Sequence, residues 1–282
     1  MEEQLLPLLA ATQSGNAVQQ AEEQLRACWS HPDYSPGLVA VASHESVPVP
    51  IRQAALAVLK QFIKSCWSTH FDEFQGKTDD DLVPEEVKRR VRASLLDLVI
   101  SENLDPRVRV IASSTVSRIG SADFPERWPD LLPTLLHIIS TGSDGQLHGA
   151  LRVLADLVED GFGEGQFFHA VKDLVQAIYN VAVADTKAPT LRALAVSVFR
   201  HCLDTLETIM EEHKAAVKEF AEVVLNQWIP FLLQVLQAEL PPAPDEQDET
   251  ARTPKAEMFK GYVTLKLQVV KVRIVNSKLP LG

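Results

Sequence analysis

Val49-Pro-Ile-Arg-Gln-Ala-Ala-Leu-Ala-Val-Leu-Lys-Gln-Phe-Ile-Lys-Ser-Cys66 decides the fold. Its proline falls in what would be a first helical turn, where a missing N–H breaks no bond, and apolar residues then recur at helical spacing. Within it Ile51, Arg52 and Ala55 make an apolar-Arg-x-x-Ala core. The core returns as Val108, Arg109 and Ala112 in Asp105-Pro-Arg-Val-Arg-Val-Ile-Ala112, and as Leu191, Arg192 and Ala195 in Ala188-Pro-Thr-Leu-Arg-Ala-Leu-Ala195. Leu147-His148-Leu151 and Val18-Ala21 are degenerate copies. A small residue at the last position lets neighbouring helices approach to about 8–10 Å, and an apolar residue one turn on fills the layer.

Ala21, Ala55, Ala112, Leu151 and Ala195 lie 34, 57, 39 and 44 residues apart. That spacing is near one two-helix HEAT unit, so the expected fold is an all-α superhelix of about six HEAT repeats spanning 1–282. Punctuation by Pro, Gly and Asp predicts about twelve helices in six antiparallel pairs. They are 2–13 with 16–30, 36–44 with 49–66, 84–101 with 106–120, 128–140 with 144–160, 166–184 with 189–210, and 213–237 with 255–278. Asp105-Pro106 reads as a capped start and Trp128-Pro129 as a similar one, with Pro133 bending or delaying that helix. Segments 68–83 and 238–254, rich in Asp and Glu, read as acidic inter-helix loops. The final helix shows an apolar stripe, Leu265, Val269 and Val272, that needs a neighbour, so a longer array is expected.

Composition narrows the function. The chain has 38 acidic and 27 basic residues, a net charge of -11, which disfavours direct nucleic-acid binding and suits basic protein partners. Cys28, Cys66 and Cys202 are too far apart for a CxxC pair, so neither a disulfide framework nor a zinc site is expected. No stretch approaches the ~20 apolar residues that span a bilayer, so no membrane partner is expected. Gly161-Phe-Gly-Glu-Gly165 lacks the Lys-Ser/Thr ending of a phosphate loop, and Gly76-Lys77-Thr78 lacks its upstream glycine. His137, His148, His169, His201 and His213 form no HExxH or ExxH pair, and Asp156, Glu159 and Asp160 read as a solvated helix end. Neither catalysis nor a cofactor is expected.

Several segments in order carry a family resemblance. Gln20-Ala-Glu-Glu-Gln-Leu25 resembles the opening A-E-x-x-L helix of the importin-β (karyopherin) N-terminal domain. Ile51 to Ile63 followed by Trp67 resembles its R-x-x-A-x-x-x-L-K-x-x-I…W signature, and Asp123-Phe-Pro-Glu-Arg-Trp-Pro-Asp-Leu-Leu132 its W-P-x-L helix start. Leu147-His-Gly-Ala-Leu-Arg-Val-Leu154 is similar to the H-G-A-x-R-V-L helix of the importin-nine branch. Near the third repeat's start, where the family usually has Trp or Tyr, this chain has Asp105-Pro-Arg107.

The resemblance implies an N-terminal, Ran-binding domain over 20–101 and a nuclear transport receptor working between cytoplasm and nucleus and at the nuclear envelope. It implies Ran in its GTP form, nuclear pore proteins and basic cargo such as histones and ribosomal proteins as partners. The second helices would line a concave face. Gln53, Ala57, Lys60 and Lys64 form one stripe there, left over after packing, and Gln19, Glu23 and Arg26 the equivalent stripe of the first repeat. Gln19, Glu23, Arg26, Gln53, Lys60, Lys64, Arg107 and Asp160 are the expected Ran contacts. A HEAT scaffold of another class, such as a phosphatase scaffold subunit, would share the periodicity without the Lys60/Trp67 and Trp128-Pro129 signatures.

Overall fold

A computed structural model describes residues 1–13, 17–160, 164–209 and 214–272. Thirteen helices and no strand are found among them. The chain divides into two compact units, Met1–Leu131 and Leu132–Gly282.

The first unit holds α1 (Glu2–Ala11), α2 (Val18–Ala27), α3 (Tyr34–Ser43), α4 (Val49–Cys66), α5 (Glu85–Val99) and α6 (Pro106–Asp123). They pack as antiparallel neighbours, α1 on α2, α3 on α4 and α5 on α6, and successive pairs stack through α3 on α5 and α4 on α6. Pro50 and Pro106 occupy first turns, and Asp105 caps α6 by accepting from the Arg107 N–H.

The second unit holds α7 (Leu131–Thr141), α8 (Asp144–Asp160), α9 (Glu164–Val183), α10 (Pro189–Ile209), α11 (Lys214–Gln237), α12 (Glu246–Ala251) and α13 (Pro254–Lys271). Here α10 is the hub, packing on α8, α9 and α13. Gly261 of α13 permits that last approach, since a Cβ there would lie 3.1 Å from the Pro189 Cβ and 3.3 Å from the Thr190 amide nitrogen. Trp228 of α11 stacks on Phe199 of α10 with centroids 3.8 Å apart.

The repeated motif has a second meaning beyond its alanine. Ala55, Ala112 and Ala195 are fully buried, as close helix packing requires. Arg52, Arg109 and Arg192 are buried as well, and each reaches back ten residues to the end of the preceding helix. Arg52 Nε donates to the Ala42 carbonyl at 2.7 Å, Arg192 Nε to the Ala182 carbonyl at 2.8 Å, and Arg109 to the carbonyls of Val99 and Ser101. The last carbonyls of a helix lack intrahelical partners, so a guanidinium from the next helix satisfies them and fixes the turn.

Three expectations need correction. Segment 238–254 is not only a loop: Asp245 accepts from the Asp248 N–H and starts the short helix α12. Trp128-Pro129 does not open a helix. Trp128 is buried in the turn before α7, which begins at Leu131 with Pro133 in its first turn, where no bond is lost. Leu265 and Val269 of the expected open stripe are already buried, and Met258, Val263, Leu267 and Val270 are the exposed large apolar residues of α13. Gly161-Phe-Gly163 and His213 lie outside the described residues.

Candidate functional site: the α2–α4–α6 face

The end of α4 is held by a buried charged cluster. Trp67 Nε1 donates to Asp123 Oδ2 at 3.1 Å, and Arg92 of α5 reaches the same carboxylate at 2.7 Å while also bonding Glu85. Trp67, Arg92 and Asp123 are all nearly inaccessible, and burial pushes the Asp123 carboxyl upward against the pull of Arg92, Trp67 and Lys88. Lys88, 0% exposed, donates to the Asp79 carbonyl and to Asp80 at 3.3 Å, and its Nζ lies 5.6 Å from the Trp67 ring centroid. Arg127 closes the cluster on Asp80 at 2.8 Å. Such charges stay buried only when paired, and Lys88, Arg92 and Asp123 each have two hydrogen-bond partners here.

This cluster orders segment 68–83, which is a connection between α4 and α5 whose acids are mostly used internally. Asp79 accepts from the Thr69 N–H at 2.6 Å and from the Thr69 and Ser68 hydroxyls. Burial raises its carboxyl, but these bonds and Arg127 outweigh it and hold Asp79 below its ordinary value. The Arg127 hydrogen bond does the same for Asp80. Asp81 accepts from the Lys77 and Thr78 N–H groups, so Gly76-Lys77-Thr78 is a turn closed by its own carboxylate.

Over this base the second helices α2, α4 and α6 present their outer sides. Gln19, Glu23 and Arg26 are exposed on α2, and Gln53, Lys60 and Lys64 are partly exposed on α4. Arg26 and Ala57 meet at one groove of about 450 Å³ between α2 and α4, whose aromatic lining is Trp29 and Tyr34. Phe62 backs both rings, with centroids 5.7 and 5.3 Å away.

The two lysines are less free than their spacing suggests. Lys60 Nζ donates to Ser114 Oγ of α6 at 3.1 Å, and Lys64 Nζ lies 3.6 Å from Glu73. Arg107 folds back on its own cap, 2.9 Å from Asp105, which drops Asp105 to about 2. Asp160 ends α8 in the second unit, and its side chain lies outside the described residues.

Residues the sequence did not single out complete the face. Arg118 of α6 stacks 4.4 Å from the Phe71 ring centroid and approaches Glu73 at 3.8 Å. Sequence carried one usable signal: α4 and α6 contain no acid except Asp123, which is buried. The charged side chains that reach solvent on these two helices are Lys60, Lys64, Arg107 and Arg118, all cationic, in a chain of net charge -11.

Helix pairs stacked through buried Ala and Arg positions define a HEAT-repeat array. Residues 21–101 match the importin-beta N-terminal domain family. Importin subunit beta-5 of Schizosaccharomyces pombe is 31% identical over 234 residues, covering 81% of this chain and 23% of that protein. Importin-9 of Drosophila melanogaster is 25% identical over 143 residues, covering 51% of this chain and 14% of its own length. The structure of yeast importin-beta superposes with a TM-score of 0.69 at 16% identity, over 96% of this chain and 29% of that one, and shows the same solenoid fold. The chain belongs to the importin-β family of karyopherins. It spans 23% and 19% of the length of the importin subunit beta-5 proteins of Schizosaccharomyces pombe and Saccharomyces cerevisiae that it matches.

Proposed function

We propose that this chain is the Ran-binding, N-terminal part of a nuclear transport receptor that carries basic proteins such as histones and ribosomal proteins into the nucleus. The observation that carries the reading is the cationic α4–α6 face on an otherwise acidic chain. A local patch of opposite sign steers an acidic partner surface to one place, while the remaining acidic surface attracts basic cargo. Family membership supports Ran in its GTP form as the first partner, and the net charge of -11 supports basic cargo. The proposed contacts are Gln19, Glu23, Arg26, Gln53, Lys60, Lys64 and Arg107 in the first unit and Asp160 in the second, within a Ran-binding domain over 20–101. On this reading the protein works in cytoplasm and nucleus and meets nuclear pore proteins at the envelope.

A pull-down with immobilised Ran tests it. The chain should be retained by Ran loaded with GTP and not by Ran loaded with GDP. Equal retention on both, or retention on neither by this chain and by longer versions of it, contradicts the reading.

A further inference from the structure

Glu73 sits between two cations that it does not fully satisfy. Its two carboxylate oxygens lie 3.6 Å from Lys64 Nζ and 3.8 Å from an Arg118 terminal nitrogen. Both separations exceed a charge-assisted hydrogen bond, which closes to about 2.7–2.9 Å. The Arg118 Nε is buried and has no hydrogen-bond partner, so the guanidinium is not fully satisfied within the chain, and its terminal nitrogen is the one that faces Glu73. Phe71, itself buried, holds that guanidinium by stacking, which fixes the fork before anything binds. One turn earlier on α4, Lys60 is tied to Ser114, four residues before Arg118 on α6. The two helices therefore hold a pre-set carboxylate seat, and Glu73 occupies it at long range from a half-exposed loop position.

We propose that this seat is the binding site for a carboxylate of the acidic partner surface, and that Glu73 holds the place in the free chain and yields it on binding. Arg118 is then a contact residue and Glu73 an internal competitor. The inference deepens the transport-receptor reading, on which it rests for the identity of the partner. Its chemistry stands on the geometry alone. A partner carboxylate that reached hydrogen-bond distance of both cations would gain what Glu73 leaves unmade, at the cost of displacing it.

Two probes separate the seat from the reading it rests on: an octaglutamate peptide and GTP-loaded Ran, each titrated calorimetrically at low salt. Glu73→Gln and Glu73→Ala should both bind the peptide about threefold to tenfold more tightly than wild type, the range that two exposed ion pairs allow. Adding Arg118→Gln should remove the gain, and the circular-dichroism melt should not move in the Glu73 variants. The seat is overturned if peptide affinity is unchanged or weaker in the Glu73 variants, if no form binds the peptide, or if the gain survives Arg118→Gln. A gain toward Ran-GTP in parallel supports both inferences. A gain toward the peptide with no Ran-GTP binding by any form keeps the seat and removes Ran as its partner.

Discussion

Replacing Asp123 with alanine should be among the most destabilising single changes in the first unit. Asp123 is 1% exposed and accepts from both Arg92, at 2.7 Å, and Trp67, at 3.1 Å. Its loss leaves a buried guanidinium with Glu85 alone and an indole N–H with no acceptor. Breaking one side of a buried ion pair costs about 3–5 kcal/mol, and an orphaned buried donor about 1–3 kcal/mol. The remaining Glu85 contact offsets part of the sum, so the expected cost is about 3–5 kcal/mol, a large fraction of a typical domain's 5–15 kcal/mol. Asp123→Asn keeps an acceptor for Trp67 and should cost less. Urea unfolding followed by circular dichroism gives the energies. Solvent exchange of the Trp67 indole proton reports the local bond. A cost below about 1 kcal/mol for Asp123→Ala, the level of an exposed site, would refute the claim that this cluster anchors α4, α5 and α6 together.

Three further outcomes are expected. Ala55→Leu and Ala112→Leu should each cost about 1–3 kcal/mol by forcing methylenes into a closed helix contact, whereas exposed substitutions in 238–254 stay within about 0.5 kcal/mol in the same melts. Asp79 and Asp80 are held below their ordinary value of 3.8, so the order they lend segment 68–83 is complete above that pH and is lost as pH falls through their lower folded values. Amide exchange at Thr69 should accelerate in that acid window, and Arg127→Gln should move the onset for Asp80 to higher pH. A Thr69 amide indifferent to acid would contradict the assignment.

Much of the array was legible because its signals are local. Pro50 and Pro189 mark first turns, and 49–66 and 144–160 match α4 and α8 at both ends. The motif alanines could be read from sterics alone. The motif arginines could not, since their partners are main-chain carbonyls ten residues upstream, which leave no mark in sequence. Segment 246–251 has no apolar periodicity to betray a helix. The charged cluster escaped because Trp67 and Arg92 lie 56 and 31 residues from the Asp123 they share. At the candidate face, α4 supplied the lysines by spacing, but Arg118 and Glu73 became relevant only once α6 and the loop were folded against it.

The most direct test of the account reverses charge on that face. Lys60→Glu/Lys64→Glu should keep the wild-type melt to within about 1 kcal/mol, because partly exposed pairs contribute little to folding. If the face meets Ran, the double variant places like charge against the partner, and losing a desolvated contact costs about 2 kcal/mol or more, about thirtyfold in affinity. Lys172→Glu on α9, exposed and outside the proposed contacts, is the control. Calorimetric titration of the three proteins with GTP-loaded Ran is the deciding measurement. A thirtyfold or greater loss in the double variant with the control unchanged is the predicted result, and equal affinity across all three would contradict the account.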